Sequence, residues 1–200
     1  MLIRTFTKSE FDHVAMIIRT SGDPDEVYLV EAVGNKGVSY NKWSNIRNHI
    51  GTGKFYAKLS YRRTKSDHDL TYNLGRFLDE AVGKKYSIGG TKLLQQKTLR
   101  ISKSTVNDKG PASPKANGDK LVEDDRTFFC SELIAKAYKV LGFIEDDETS
   151  CAQFYPNPFS EKGDSFLKLM DDVEIGPEMQ IIIDADEEND DLDVLSEKHY

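Results

Sequence analysis

The segment 128–141 constrains this chain more than any other part of the sequence. Its apolar residues recur at positions i, i+3, i+4, i+7, i+8 and i+11, and they are Cys130, Leu133, Ile134, Ala137, Tyr138 and Leu141. This spacing predicts an amphipathic helix with one face buried in the core. Gly142 follows the last periodic residue and is a typical helix terminator. The other elements must therefore supply a surface that covers this face.

Patterns elsewhere predict further strands and helices. The predicted strands span 11–19, 26–33, 55–61 and 179–183, and the predicted helices span 41–50 and 69–82. The turn-forming sequence TSGDPD separates the first two strands, which we expect to pair as a hairpin. Adjacent strands and separately grouped helices are typical of the α+β class. We predict one α+β domain over residues 1–183.

The composition limits the class of protein. With 38% hydrophobic and 30% charged residues in a chain of 200, it predicts one soluble domain with a sizeable core. No stretch approaches the ~18–20 apolar residues of a membrane span. The first residues, MLIRTFTKSEFDH, lack an apolar run followed by a small-residue cleavage site. We expect no transmembrane segment, no secretory signal and a cytoplasmic location.

Two segments differ in composition from the rest of the chain. Residues 184–200 hold eight acidic residues and one lysine, which account for the whole net charge of −7. We predict a solvated, disordered acidic tail there, with a docking segment for a basic protein partner as the alternative. Residues 102–120 contain four lysines, two prolines and two glycines and are predicted to be a mobile insertion. A basic nucleic-acid footprint is absent from the sequence, so we expect no nucleic-acid partner.

Cys130 is the first candidate for chemistry. It follows three possible helix-capping residues, Asp124, Asp125 and Thr127, and falls in the first turn of the predicted helix. A thiol there lies at the positive end of the helix dipole, which favours the thiolate and lowers the thiol pKa below ~8.5. The alternative is a small apolar residue on the buried stripe. The second cysteine, Cys151, has no such setting, and we expect both to be reduced.

His13 is the second candidate, because it interrupts an otherwise apolar strand. In a hairpin symmetric about Gly22, His13 faces Glu31, and directly opposed Cβ atoms lie about 5 Å apart. A register shift of one residue would send Glu31 to the other face, and a packed structural histidine is the alternative. Together with Cys130 these residues supply the nucleophile, base and orienting acid of a cysteine hydrolase. A zinc site from the same three residues lacks a fourth close ligand, so we expect no metal and no other cofactor.

At these residues the chain resembles the circularly permuted branch of the NlpC/P60 (papain-like) superfamily, typified by YiiX/YaeF-like amidases. The resemblance rests on FDHVAMIIR, VYLVEAVGNKGV and FFCSELIAKAYKVLGF, in which the histidine strand precedes the cysteine helix. The Asp-His-Val motif of the family matches 12–14, its Val-x-Glu-Ala strand matches 30–32 without the spacer residue, and its Cys-Ser-Glu-Leu helix start matches 130–133. The Gly-x-x-Tyr element matches 83–86.

The chain also departs from the family pattern. The Gly-Asp start of the first strand is missing, which leaves the N-terminal edge of the domain undefined. Asn157 and Pro158 replace the usual Gly-Asp in the closing segment FYPNPFS. Ser87 and Ile88 follow Tyr86, where the family has an acidic residue, so a substrate contact there does not carry over.

The resemblance implies a permuted papain-like fold, in which a small antiparallel sheet packs on a central helix that carries Cys130 at its N-terminus. It implies a triad of Cys130, His13 and Glu31, with Tyr86 beside it as a substrate-binding residue or a packed aromatic. The implied substrates contain amide, peptide, ester or thioester bonds that are cleaved through a thioacyl-enzyme. The alternative is a catalytically silent binding or accessory domain of the same fold that recruits a protein partner.

Overall fold

The computed structural model describes residues 10–20, 22–47, 58–87 and 127–181. The predicted insertion at 102–120 and the predicted tail at 184–200 lie outside the described residues, as do residues 48–50, 55–57 and 182–183 of the predicted elements. The described part combines antiparallel strands with a few helices, which confirms the α+β class. None of its helices has the length and apolar composition needed to cross a membrane.

Within the described ranges the elements are seven strands and three α-helices. The strands are β1 (Met16–Thr20), β2 (Asp23–Val33), β3 (Gly37–Lys42), β4 (Leu59–Tyr61), β5 (Thr64–Ser66), β6 (Val173–Ile175) and β7 (Met179–Ile181). The helices are α1 (Trp43–Arg47), α2 (Thr71–Ala81) and α3 (Cys130–Val140). Three single-turn 3-10 helices, Cys151–Gln153, Asn157–Phe159 and Asp164–Phe166, lie between α3 and β6.

The first sheet has the strand order β1-β2-β3, and both pairs are antiparallel. Alternate residues Val30 and Ala32 of β2 and Val38 of β3 are buried and join the core around α3. The strand β3 was not predicted. The helix predicted from residue 41 begins instead at Trp43, because Asn41 and Lys42 still pair with β2.

The predicted strand 11–19 is also shorter than expected, since β1 begins at Met16. The last three residues of β2, at positions 31–33, pair with β3 and have no ladder partner in β1. The segment that carries His13 therefore approaches the sheet without joining its ladder.

The helix α3 confirms the strongest sequence pattern, but it starts differently from the prediction. Its N-cap is Phe129, whose backbone N–H donates to the Glu132 carboxylate at 3.4 Å. Thr127 precedes this cap by two residues, and Asp124 and Asp125 lie outside the described residues. The prediction that Thr127 is the N-cap is therefore wrong. The same prediction for the two aspartates is not tested.

The C-terminal end of α3 follows the sequence expectation. Gly142 has a φ of +73°, and the N–H of Phe143 donates to the carbonyl of Tyr138 at 2.8 Å. This is the Schellman arrangement, in which a left-handed residue ends the helix and the next residue packs back on it. The ring of Phe143 contacts Tyr138 edge-on, with centroids 5.2 Å apart.

The strands β4 to β7 form one bulged antiparallel ribbon. The pair Tyr61–Met179 and the pair Thr64–Ile175 are separated by two residues on one strand and by three on the other, 176–178. Arg62 occupies this irregularity: its Nε donates to the carbonyl of Gly176 at 2.8 Å, and its Nη2 contacts Asp164 at 3.0 Å. We call residues 59–66 and 173–181 the bulged ribbon.

The turn between β2 and β3 is joined to the end of α2 at Gly37. Gly37 has a φ of +73°, and a Cβ built there would overlap the carbonyl oxygen of Lys84. The N–H of Val38 donates to this same oxygen at 2.8 Å, and the N–H of Gly83 donates back to the carbonyl of Val38 at 2.8 Å. Only glycine satisfies both the backbone angle and the close approach.

Gly37→Ala is expected to lower the free energy of unfolding by about 2 kcal/mol or more, because the new Cβ meets backbone and the φ is left-handed. Urea unfolding followed by circular dichroism measures the change. Gly34→Ala is the matched control in the same turn, since nothing lies within 4 Å of its Cβ position. Equal losses in the two variants would contradict the role given to Gly37.

Candidate active site

Cys130 is the first residue of α3, and it is only 1% exposed. The first N–H groups of a helix have no intrahelical acceptor, so they create positive potential where this side chain begins. Two neighbouring contacts fix the helix start. Phe128 exchanges backbone hydrogen bonds with Lys85 and Ser87 at 3.0 and 3.1 Å, and the hydroxyl of Ser131 donates to the carbonyl of Phe154 at 2.6 Å.

His13 links the two other candidate residues. Its Nε2 lies 2.8 Å from the Glu31 Oε2, and the side chain of Cys130 lies close enough to the ring to raise its pKa. The His13 side chain is 23% exposed and the Glu31 side chain is 8% exposed. The structure therefore brings Cys130, His13 and Glu31 together in the order thiol, imidazole, carboxylate.

The contact between His13 and Glu31 is present, but the register that predicted it is wrong. The pairs Met16–Val30 and Ile17–Leu29 centre the hairpin on residue 23, with an irregularity at residues 19–20. In a hairpin centred on Gly22, Met16 would face Tyr28. In the structure it faces Val30, so the register differs from the predicted one by two residues. A shift of two keeps both side chains on the same face, and diagonal neighbours remain within reach of long side chains.

Glu31 is a buried carboxylate placed by strand alternation. It lies between Val30 and Ala32, whose side chains point into the core, so the side chain of Glu31 projects from the opposite face of the sheet. An isolated carboxylate at this degree of burial is destabilised by the loss of water, and the hydrogen bond to His13 offsets that loss. The carboxylate in turn favours a charged imidazole.

Opposing effects act on the pKa of His13. Burial of the ring disfavours the imidazolium and lowers the pKa, whereas the hydrogen bonds and negative charges of Cys130 and Glu31 raise it. The favourable effects prevail and raise the pKa of His13 to about 9. The imidazole is therefore protonated at neutral pH when the thiol is ionised, as in a thiolate–imidazolium pair.

Tyr86 lies beside the segment that leads into Cys130. It forms a parallel backbone bridge with Phe128 and packs, half-buried, against the core. Burial, and to a smaller extent the charge of Cys130, raises the pKa of Tyr86 to about 12. The phenol stays protonated at neutral pH and can donate a hydrogen bond near the thiol. Its role in substrate binding stays a prediction.

Sequence reasoning missed the contact that Ser131 makes. Its hydroxyl holds the carbonyl of Phe154, directly after the turn Cys151–Gln153 that packs on α3. A serine in the first turn of a helix is the only sequence signal for such a contact, and it does not identify the acceptor. Cys151 itself is buried in this turn, as a structural residue would be.

The described residues include no group of three or more His, Cys, Asp or Glu side chains arranged to hold a metal ion. The comparisons with known proteins found no matching family model, no matching curated protein and no matching solved structure. The account of this site therefore rests on its own geometry.

The His13 ring signals in an NMR titration are expected to have a midpoint near pH 9, and Glu31→Gln is expected to lower it, because the variant removes the carboxylate charge. Glu26→Gln is the control on the same strand, since Glu26 contacts Ser44 and not the histidine. An unchanged midpoint in Glu31→Gln would contradict the electrostatic link.

The same shift predicts how stability depends on pH. The pKa of His13 is about 9 in the folded protein against 6.5 for a free histidine, so the imidazolium stabilises the fold fully below pH 6.5. This contribution is lost as the pH rises through 9. The free energy of unfolding, from urea titrations at pH 6.5 and pH 9.5, should therefore fall more in the wild type than in Glu31→Gln.

Proposed function

We propose that this protein is a cysteine-dependent hydrolase or acyl transferase with a permuted papain-like fold. One observation carries the proposal: His13 contacts Glu31 through Nε2 at 2.8 Å, and the same ring interacts with the side chain of Cys130, the first residue of a buried helix. Nucleophile, base and orienting acid in this order are the parts of a cysteine triad. The substrate is a carbonyl compound with an amide, peptide, ester or thioester bond.

Glu31 sets the tautomer of the imidazole. When the Nε2–H of His13 donates to the Glu31 carboxylate, Nδ1 is the nitrogen that can take the proton of Cys130. Proton transfer produces a thiolate and an imidazolium. The charge of Glu31 stabilises this imidazolium, and the N-terminal end of α3 stabilises the thiolate.

Acylation follows from this ion pair. The thiolate of Cys130 attacks the carbonyl carbon, a carbon–sulfur bond forms, and the carbonyl oxygen becomes an oxyanion. Backbone N–H groups in the first turn of α3, including that of Cys130, are the proposed donors to this oxyanion. When the intermediate collapses, the imidazolium of His13 gives its proton to the departing nitrogen, oxygen or sulfur, and a thioacyl-enzyme remains.

Deacylation uses the same residues in the reverse roles. His13, now neutral, takes a proton from an incoming water or acceptor nucleophile, which attacks the thioacyl carbonyl. The carbon–sulfur bond breaks, and the thiolate–imidazolium pair forms again. With water the protein is a hydrolase, and with another nucleophile it is an acyl transferase.

The burial of Cys130 favours a second candidate function. At 1% exposure the sulfur is closed off from an incoming carbonyl in this conformation. A catalytically silent domain that binds a protein partner would keep such a buried cysteine as a core residue. The ionisation state of the thiol distinguishes the two candidates.

The ultraviolet absorbance of the thiolate at neutral pH, measured as the difference between wild type and Cys130→Ser, is expected to fall in His13→Gln, because the imidazolium partner is lost. Absorbance does not require access to the buried sulfur. The rate of iodoacetamide alkylation at Cys130 in wild type and His13→Gln, with Cys151 as the internal reference, is the second measurement. Equal thiolate absorbance and equal alkylation rates in the two proteins would favour the silent domain.

A panel of amide, peptide, ester and thioester substrates tests turnover directly. Cys130→Ala and His13→Ala are expected to abolish it, and Glu31→Gln is expected to lower kcat by about 10²-fold or more, because the imidazole loses its orientation. Cys151→Ala is the matched control for loss of a buried thiol. Full activity in Cys130→Ala would exclude the mechanism.

A further inference from the structure

The outer face of the bulged ribbon carries exposed apolar side chains beside two cations. Tyr61 and Met179 face each other across β4 and β7 and are 40% and 52% exposed. Arg63 and Lys65 continue along the same side of the first strand, and a groove forms between these four residues, Glu174 and Pro177. The opposite side of this strand faces the core, where Thr64 is hydrogen-bonded to Tyr138 at 3.2 Å.

The two cations have no partner of their own in the described part of the chain. No ion pair joins Arg63 or Lys65 to another described residue, although Lys65 lies opposite Glu174 in the ladder. Arg62 differs from them, because its guanidinium is buried in the bulge and bonded to Asp164. The groove is therefore apolar at its Tyr61–Met179 end, and at its other end Arg63 and Lys65 outnumber the one carboxylate of Glu174.

We propose that this groove binds the acidic segment 184–200 of the same chain. The segment contains Leu192, Val194 and Leu195 among eight acidic residues, which matches a groove with apolar and basic ends. An apolar side chain docked on Tyr61 and Met179 leaves neighbouring carboxylates within reach of Arg63 and Lys65. This docking is independent of the cysteine chemistry.

The length of chain permits this contact. Leu192 lies eleven residues beyond Ile181, the last residue of β7, and this stretch can span up to about 35 Å. Residues 59–66 of the ribbon extend about 25 Å. The segment also starts at the ribbon itself, so its effective concentration there is on the order of millimolar. A site with a dissociation constant near 1 mM would therefore be substantially occupied.

Carbodiimide cross-linking of the full chain tests the proposal, because this reagent joins a lysine amine to a carboxylate that it contacts. Mass spectrometry is expected to find Lys65 linked to carboxylates in 184–200 at a yield at least about five times that of Lys36. Lys36 is the internal control, since it is an exposed lysine in the turn between β2 and β3. The preference should disappear in 1 M salt, where charges are screened beyond ~3 Å.

Two variants separate the apolar contribution from the charge. Met179→Ser and Tyr61→Ser should each lower the Lys65 yield several-fold, and Tyr72→Ser, at a still more exposed aromatic on α2, should not. All three positions are exposed, so far-UV circular dichroism is expected to stay unchanged. If the cross-linking yield at Lys65 is the same in Met179→Ser and Tyr61→Ser as in the wild type, the proposed groove is overturned.

The remaining outcomes are also decisive. Equal yields at Lys65 and Lys36 would overturn the proposal and leave 184–200 as a solvated acidic segment. An equal mixture of ¹⁵N-labelled and unlabelled chain should give cross-links within one isotope only. Mixed-isotope links would overturn docking within the chain in favour of a second copy. None of these readouts depends on turnover at Cys130, so failure here leaves the proposed catalytic function untouched.

Discussion

The burial of α3 is the constraint on which the rest of the structure depends. Eight of its eleven residues are buried, and polar residues are among them. Each polar group is compensated: Ser131 donates to the carbonyl of Phe154, Glu132 accepts from the N–H of Phe129, and Lys139 donates to the carbonyl of Asp147 at 2.7 Å. Because buried polar groups are costly without partners, these bonds fix the rotation and depth of the helix. The position of Cys130 follows from them.

The elements that could be predicted from the sequence are those in which the apolar residues recur with the period of the helix or strand. The helix α3 is such an element, because its apolar period and Gly142 define it within about two residues. The strand β3 was missed although Val38 and Tyr40 alternate with Ser39 and Asn41, as in a half-buried strand, because the helix predicted from residue 41 overlaps its end. In the bulged ribbon, β4 and β7 fall within the predicted strands 55–61 and 179–183, whereas β5 and β6 have three residues each and show no period. The bulge between these two strand pairs depends on Arg62 contacts that no local pattern encodes.

The candidate site was predictable in its residues but not in its backbone arrangement. The predicted register was wrong by two residues and His13 precedes β1, outside the ladder, yet its contact with Glu31 is present. The cap of α3 was not predicted. Phe129 offers no side-chain oxygen, and the compensating carboxylate comes from Glu132, inside the helix. Which residues meet was therefore easier to infer than how the backbone holds them.

The same enclosure that strengthens the electrostatics of this site limits access to it. Charges interact more strongly away from water, and His13 with Glu31 gains from this, as the raised pKa of His13 indicates. The cost is that Cys130 is covered. The backbone of Ser87 is hydrogen-bonded to Phe128, two residues before Cys130, so paired backbone fixes the segment that leads into the covered thiol.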